Sequence, residues 1–144
     1  MALSQKDTIT SFPHSGGCHC GAVRYTFGDP TSFTALKCNC SICTKKGAVY
    51  IIIPGERFHL LQGEEDLTTY TFGTHTAKHR FCRICGVQSF YIPRSNPDGV
   101  SINLACIDSD TLPPIELIPF NGQEWEKQPS LHHLSSSSSS TPQE

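Results

Sequence analysis

Gly16-Gly17-Cys18-His19-Cys20-Gly21-Ala22-Val23-Arg24-Tyr25-Thr26-Phe27 places two cysteines one residue apart, directly before a run in which apolar and polar side chains alternate. Successive side chains of a β-strand point to opposite faces, so Val23, Tyr25 and Phe27 share one face, as in a half-buried strand. Gly28-Asp29-Pro30 then supplies the turn residues that end it. The stretch therefore reads as a thiol pair held at the mouth of a strand.

The same texture continues outward along the chain. Short runs rich in β-branched and aromatic residues are broken by turn residues about every ten positions. The expected strands are 22–27, 33–37, 48–53, 58–61, 68–72, 78–81, 87–92 and 100–104, and no segment shows sustained helical periodicity. The expected class is all-β. Composition divides the chain into a flexible leader 1–15, a body 16–128 and a tail 129–144. The tail, with its serine run Ser135 to Ser140, is expected to be disordered, because it offers too little apolar surface to offset the entropy of ordering.

The 144 residues are the length of one ordinary domain. Lys and Arg number 11 against 13 Asp and Glu, a net charge of −2, which provides no basic footprint for a phosphate backbone and argues against nucleic acid as a partner. Neither a signal-type apolar core nor a run of ~20 apolar residues is present, so no membrane partner is expected and the expected location is cytoplasmic, with the nucleus as the alternative. In a reducing compartment eight cysteines, seven of them clustered, point to metal rather than to four disulfides.

Seven of the eight form Cys18-x-Cys20, Cys38-x-Cys40-x-x-Cys43 and Cys82-x-x-Cys85, which is ligand spacing for zinc. Alternate residues of an extended segment present both sulfurs to one side, and a Cys-x-x-Cys turn makes its two sulfurs converge. Gly21 and Gly86, directly after Cys20 and Cys85, are expected to close such knuckles at positive φ, while Gly16-Gly17 would let backbone pass close to a metal. Two thiolates do not complete a tetrahedron. One pairing joins Cys18, Cys20, Cys82 and Cys85 in a closed structural site and leaves Cys38, Cys40 and Cys43 with an open position for chemistry. Spacing alone leaves another open, in which the triplet is closed by Cys106 or a histidine.

Cys106, in an apolar run, reads as a small buried hydrophobe. His59, His75 and His79 lie at strand or turn positions where exposure is the default, and His14 lies in the leader. His19 points away from the metal face, with second-sphere polar placement as an option shared by Asn39, Tyr70 and Tyr91.

The ordered motifs Gly16-Gly17-Cys18-His19-Cys20-Gly21, Cys38-Asn39-Cys40-Ser41-Ile42-Cys43 and Phe81-Cys82-Arg83-Ile84-Cys85-Gly86 resemble the glutathione-dependent formaldehyde-activating enzyme family. Within it the chain is similar to the centromere protein V branch, through stretches such as Leu67-Thr68-Thr69-Tyr70-Thr71-Phe72 and Pro93-Arg94-Ser95-Asn96-Pro97. The resemblance covers roughly Gly16 to Glu126. It implies an Mss4-like zinc-stabilised β-sheet domain of the β-tent type, a structural zinc on Cys18, Cys20, Cys82 and Cys85, and a labile, functional zinc on Cys38, Cys40 and Cys43.

The activity implied is that of a carbon–sulfur lyase, S-(hydroxymethyl)glutathione synthase-like, forming or cleaving a glutathione adduct, with glutathione as co-substrate. Three thiolates give the second site a charge near −1, so an anionic tripeptide requires cations nearby. Lys45 and Lys46 are the expected contacts, followed by Arg83 and Arg94. The expected partners are a small-molecule thiol and, as an option, a second copy of the chain. Two alternatives stand beside the lyase: a non-catalytic zinc-stabilised protein-interaction module related to centromere protein V, and a lyase acting on a different thiol conjugate.

Overall fold

The computed structural model describes residues 12–108, 112–121 and 130–135. Among the described residues ten strands fall into three sheets. β1 (His14–Gly17), β2 (Arg24–Phe27) and β5 (Phe58–Gln62) form one, in the order β1-β2-β5. β3 (Thr34–Cys38), β4 (Tyr50–Pro54), β8 (Phe90–Tyr91), β9 (Gly99–Asn103) and β10 (Glu116–Phe120) form a second, ordered β10-β3-β4-β9-β8. β6 (Leu67–Tyr70) and β7 (His79–Cys82) make a two-stranded ribbon. Every pairing is antiparallel except β10 with β3.

The alternation read in 22–27 is realised in full. Val23, Tyr25 and Phe27 are buried to the last square ångström, while Arg24 and Thr26 are half-buried. Tyr25 meets Phe90 edge-on at 5.7 Å and donates its hydroxyl to the Ser89 carbonyl oxygen at 3.0 Å, so the first sheet is locked onto the second by one aromatic side chain with a satisfied polar end. All of β4 is buried, as a central strand covered on both faces must be.

All eight expected strands are present, with bounds shifted by a few residues. Two further strands depart from the expectation. β1 begins at His14, inside the segment read as leader, because His14 is buried with its Nε2 2.6 Å from the Asp29 carboxylate. β10, Glu116-Leu117-Ile118-Pro119-Phe120, carries a proline that speaks against a central strand but is tolerated at the edge it occupies.

Part of the segment expected to be a disordered tail also returns to the body. Leu134 and Ser135 are buried, and the fully buried Asn96 donates to the Leu131 carbonyl oxygen at 2.7 Å and to Ser135 Oγ at 2.8 Å. The remainder of the serine run lies outside the described residues. The one α-helix among the described residues, α1 (Ser41–Lys46), follows Cys40 and ends at Gly47 in the left-handed conformation.

Candidate active site

Two thiol knuckles are built alike. Cys18 N–H donates to the Val23 carbonyl oxygen and Cys82 N–H to that of Val87, both at 3.1 Å, so each chain turn closes over five residues. Gly21 and Gly86 sit at φ +87° and +79°, the positive values expected after each pair. Cys18 and Cys20 leave β1 in a bend rather than in the extended segment expected, and their sulfurs still converge. Gly16 and Gly17 meet backbone instead of metal: a Cβ on Gly16 would lie 2.5 Å from the Cys106 carbonyl oxygen, and one on Gly17 2.2 Å from that of Val23.

The sulfurs of Cys18, Cys20, Cys82 and Cys85 all lie within 4.8 Å of one another. Cys20 Sγ is 3.7 Å from both Cys18 Sγ and Cys82 Sγ. A tetrahedron with zinc–sulfur bonds of ~2.3 Å has sulfur–sulfur edges of ~3.8 Å, so the cluster has the dimensions of a zinc site. Backbone N–H groups of Val23 and Ile84, each 3.3 Å from a sulfur, support negative charge there.

The second cluster is the triplet Cys38, Cys40 and Cys43, also mutually within 4.8 Å. Cys38 ends β3, Cys40 precedes α1 and Cys43 is buried in its first turn. Hydrogen bonds from the thiols of Cys38 and then Cys43 pull Cys40 far down, while sharing charge with Cys40 pushes Cys38 up and sharing with Cys38 pushes Cys43 up. Three sulfurs held ready around one negative charge are a donor set for a soft cation. Tyr50, whose buried hydroxyl has no partner among the described residues, stands beside them, its pKa raised by burial and then by the charge of Cys43. Cys106 and the histidines are absent from both clusters, so the alternative closure of the triplet by one of them is not found among the described residues. Cys106 is half-buried, and burial, then the charges of Cys18 and Cys85, raise its pKa.

The triplet opens on a cavity of ≈ 580 Å³. Around it the expected cations are sorted in an unexpected way. Lys45 is exposed and makes no ion pair among the described residues. Lys46 is exposed as well, but its ammonium is engaged: Nζ donates to Gln88 Oε1 and to His79 Nδ1, the latter at 3.2 Å, and lies 5.6 Å from the Tyr91 ring centre. Burial lowers the Lys46 pKa to about 8 against the opposing pull of Cys43 and Cys40. Arg83 belongs to the four-cysteine knuckle, pairs with Asp66 at 2.7 Å and does not line the cavity, whereas Arg94 does.

His79 is the site residue that local sequence reading missed. Expected to be exposed, it is 4% exposed. Its ring is stacked on Tyr91 at 5.0 Å and Phe72 at 5.5 Å. An ammonium has only protons to give, so the Lys46 contact makes Nδ1 the acceptor and puts the ring proton on Nε2. Burial, then the Lys46 charge, lowers its pKa to about 4, which keeps the ring neutral at neutral pH. Nε2 has no protein partner among the described residues and is not shut off from solvent, and the ring lines the cavity. Of the other polar residues considered, Tyr91 is half-buried beside Ser101, Tyr70 stacks on Phe72 with half its surface exposed, and His19 is exposed.

Residues 13–122 match the family described as glutathione-dependent formaldehyde-activating enzyme. The chain belongs to this family. A Halomonas elongata protein, provisionally named a glutathione-dependent formaldehyde-activating enzyme, is 30% identical over an alignment of 121 residues that covers 76% of this chain and 77% of that protein. The crystal structure of a Rhodobacter sphaeroides protein superposes with a TM-score of 0.62 at 34% identity, covering 72% of this chain and 99% of that one. The family's small, nearly all-β, Mss4-like domain with metal-ready cysteine clusters is thus the fold seen here. Among the described residues no helix is long and apolar enough to cross a membrane.

Proposed function

We propose that the chain is a zinc-dependent carbon–sulfur lyase that forms or cleaves a glutathione adduct such as S-(hydroxymethyl)glutathione. The observation that carries this reading is the division of labour between the clusters: four sulfurs close on one another, while three open on a cavity. Cys18, Cys20, Cys82 and Cys85 would hold a structural zinc, and Cys38, Cys40 and Cys43 a functional one. When bound at the triplet, zinc supplies a Lewis-acidic position that favours a thiolate over a thiol at neutral pH.

The chain's own residues do the rest. In adduct formation a sulfur–carbon bond forms, the carbonyl oxygen gains negative charge, and the proton lost by the thiol ends on that oxygen. His79 offers Nε2–H on the cavity wall as the donor for this oxygen, and Lys46, by occupying Nδ1, keeps the proton on the correct nitrogen. Lys45 and Arg94 supply positive charge for the tripeptide carboxylates. Lys46, whose ammonium is engaged by His79 and Gln88, acts as a positioning residue in place of the substrate contact first expected. A reducing, cytoplasmic setting accompanies the proposal, since thiolate ligands must stay unoxidised. The stretches quoted above support placement in the centromere protein V branch.

Exchange between formaldehyde and S-(hydroxymethyl)glutathione, followed by NMR, is expected to be faster with the protein than without it. It is expected to return to the uncatalysed rate in Cys40→Ser. Two bound zinc ions per chain with no acceleration at any protein concentration would overturn the reading.

A further inference from the structure

A formaldehyde-derived hydroxymethyl group has two heavy atoms and fills roughly twice the ~30 Å³ of one water. The cavity at the triplet measures ≈ 580 Å³, inside the ~300–1,000 Å³ range of pockets that enclose a drug-sized molecule. The excess is not shaped for glutathione itself. Apolar side chains, Leu36, Ile52, Phe72, Phe120 and Leu131 among them, form most of its wall, with Ser and Thr hydroxyls and the His79 ring between them, and Arg94 is the one lining side chain with a fixed positive charge among the described residues. A tripeptide with two carboxylates and an ammonium would lose hydration on such walls without recovering enough partners.

Phe72 adds a second observation. It lies in the segment after β6, is 41% exposed, and is supported by the rings of His79 and Tyr70. An aromatic side chain held in place on a cavity wall, with its outer surface left to water, suits an apolar ligand that covers it.

We propose that the cavity receives the carbonyl-derived part of the thiol adduct, and that this part is an aromatic group or an alkyl chain of several carbons. The tripeptide's charged ends remain at the cavity mouth, near the exposed Lys45 and Arg94. This deepens the lyase reading and rests on it. The chemistry is the same addition: the sulfur–carbon bond forms as the carbonyl π bond opens, the thiol proton ends on oxygen, and the product is a hemithioacetal, with no oxidant or reductant involved.

The test uses stable thioether analogues and the exchange assay together. Calorimetric affinities of the full zinc-loaded chain for S-methyl-, S-hexyl- and S-benzylglutathione are expected to favour the two larger groups at least about tenfold, each buried methylene being worth a factor of about four. Phe72→Ala, altering a partly exposed side chain, is expected to narrow that ratio. With aldehydes, hexanal or benzaldehyde should exchange with glutathione at higher kcat/KM than formaldehyde. Acceleration with formaldehyde, combined with equal or weaker binding of the S-hexyl and S-benzyl compounds, would overturn the apolar assignment and leave the lyase reading standing. Absence of exchange with every aldehyde would overturn both.

Discussion

His79 allows a quantitative check of the site's electrostatics without any assay of turnover. The ring is buried between Phe72 and Tyr91 with the Lys46 ammonium on Nδ1, and burial, then that charge, bring its pKa from 6.5 to about 4. The folded value lies below the unfolded one, so between them the unfolded chain binds more protons, and stability rises with pH. The contribution is complete above about pH 6.5 and is lost as pH falls toward 4. The interval from 6.5 to about 4, at 1.36 kcal/mol for each step of one, sets a ceiling of about 3.4 kcal/mol. Solvent at the ring's cavity edge reduces the expected value to about 2 kcal/mol. The perturbation is His79→Phe, which keeps an aromatic ring between its neighbours and removes the titration. Urea unfolding of both proteins is to be measured from about pH 7 down to about pH 4. Cysteine protonation and metal release weaken both in acid, so the difference between the two curves isolates the imidazole. The variant should lose about 2 kcal/mol less than the parent over that range; two curves that fall in parallel would refute a buried, neutral His79.

Three further expectations concern other residues of the two clusters and the cavity. Cys82→Ser should abolish the folded state, since metal binding at a closed site is folding free energy, whereas Cys40→Ser should stay folded by circular dichroism and lose only the second metal and the exchange activity; equal loss of fold would refute the division into structural and functional sites. Tyr50→Phe removes a buried hydroxyl that has no partner, and should leave stability unchanged or raise it by about 1 kcal/mol, so a loss of that size in urea titration would show a hydrogen bond to the hydroxyl. Lys45→Ala should raise KM for glutathione severalfold at constant kcat, and an unchanged KM would remove Lys45 from substrate binding.

The parts of this molecule that were legible in the sequence are those set by local chemistry. Alternation in 22–27 gave both a strand and its buried face, and glycines after Cys20 and Cys85 adopt the positive φ their positions demanded. Spacing left open whether Cys106 or a histidine joins the triplet; the structure brings the seven thiols together as four and three, with neither joining among the described residues. What stayed hidden depends on contacts distant along the chain. His79 lies in the polar run Thr74-His75-Thr76-Ala77-Lys78-His79, where nothing local signals burial; the rings of Tyr91 and Phe72 and the ammonium of Lys46 impose it.

The engagement of the Lys46 ammonium has a simpler cause, set by the geometry of a short helix. Adjacent residues on an α-helix diverge by about 100° around its axis, so two neighbouring lysines cannot serve one ligand from the same side. With Cys43 pointing into the triplet from the first turn of α1, Lys46 follows three residues later on nearly the same face, so that of two exposed lysines it is Lys46 whose ammonium reaches Gln88 and His79. A pattern too short to announce a helix thus separates two identical side chains into different tasks. One ammonium makes no ion pair among the described residues, and the other fixes the proton of an imidazole that lines the cavity.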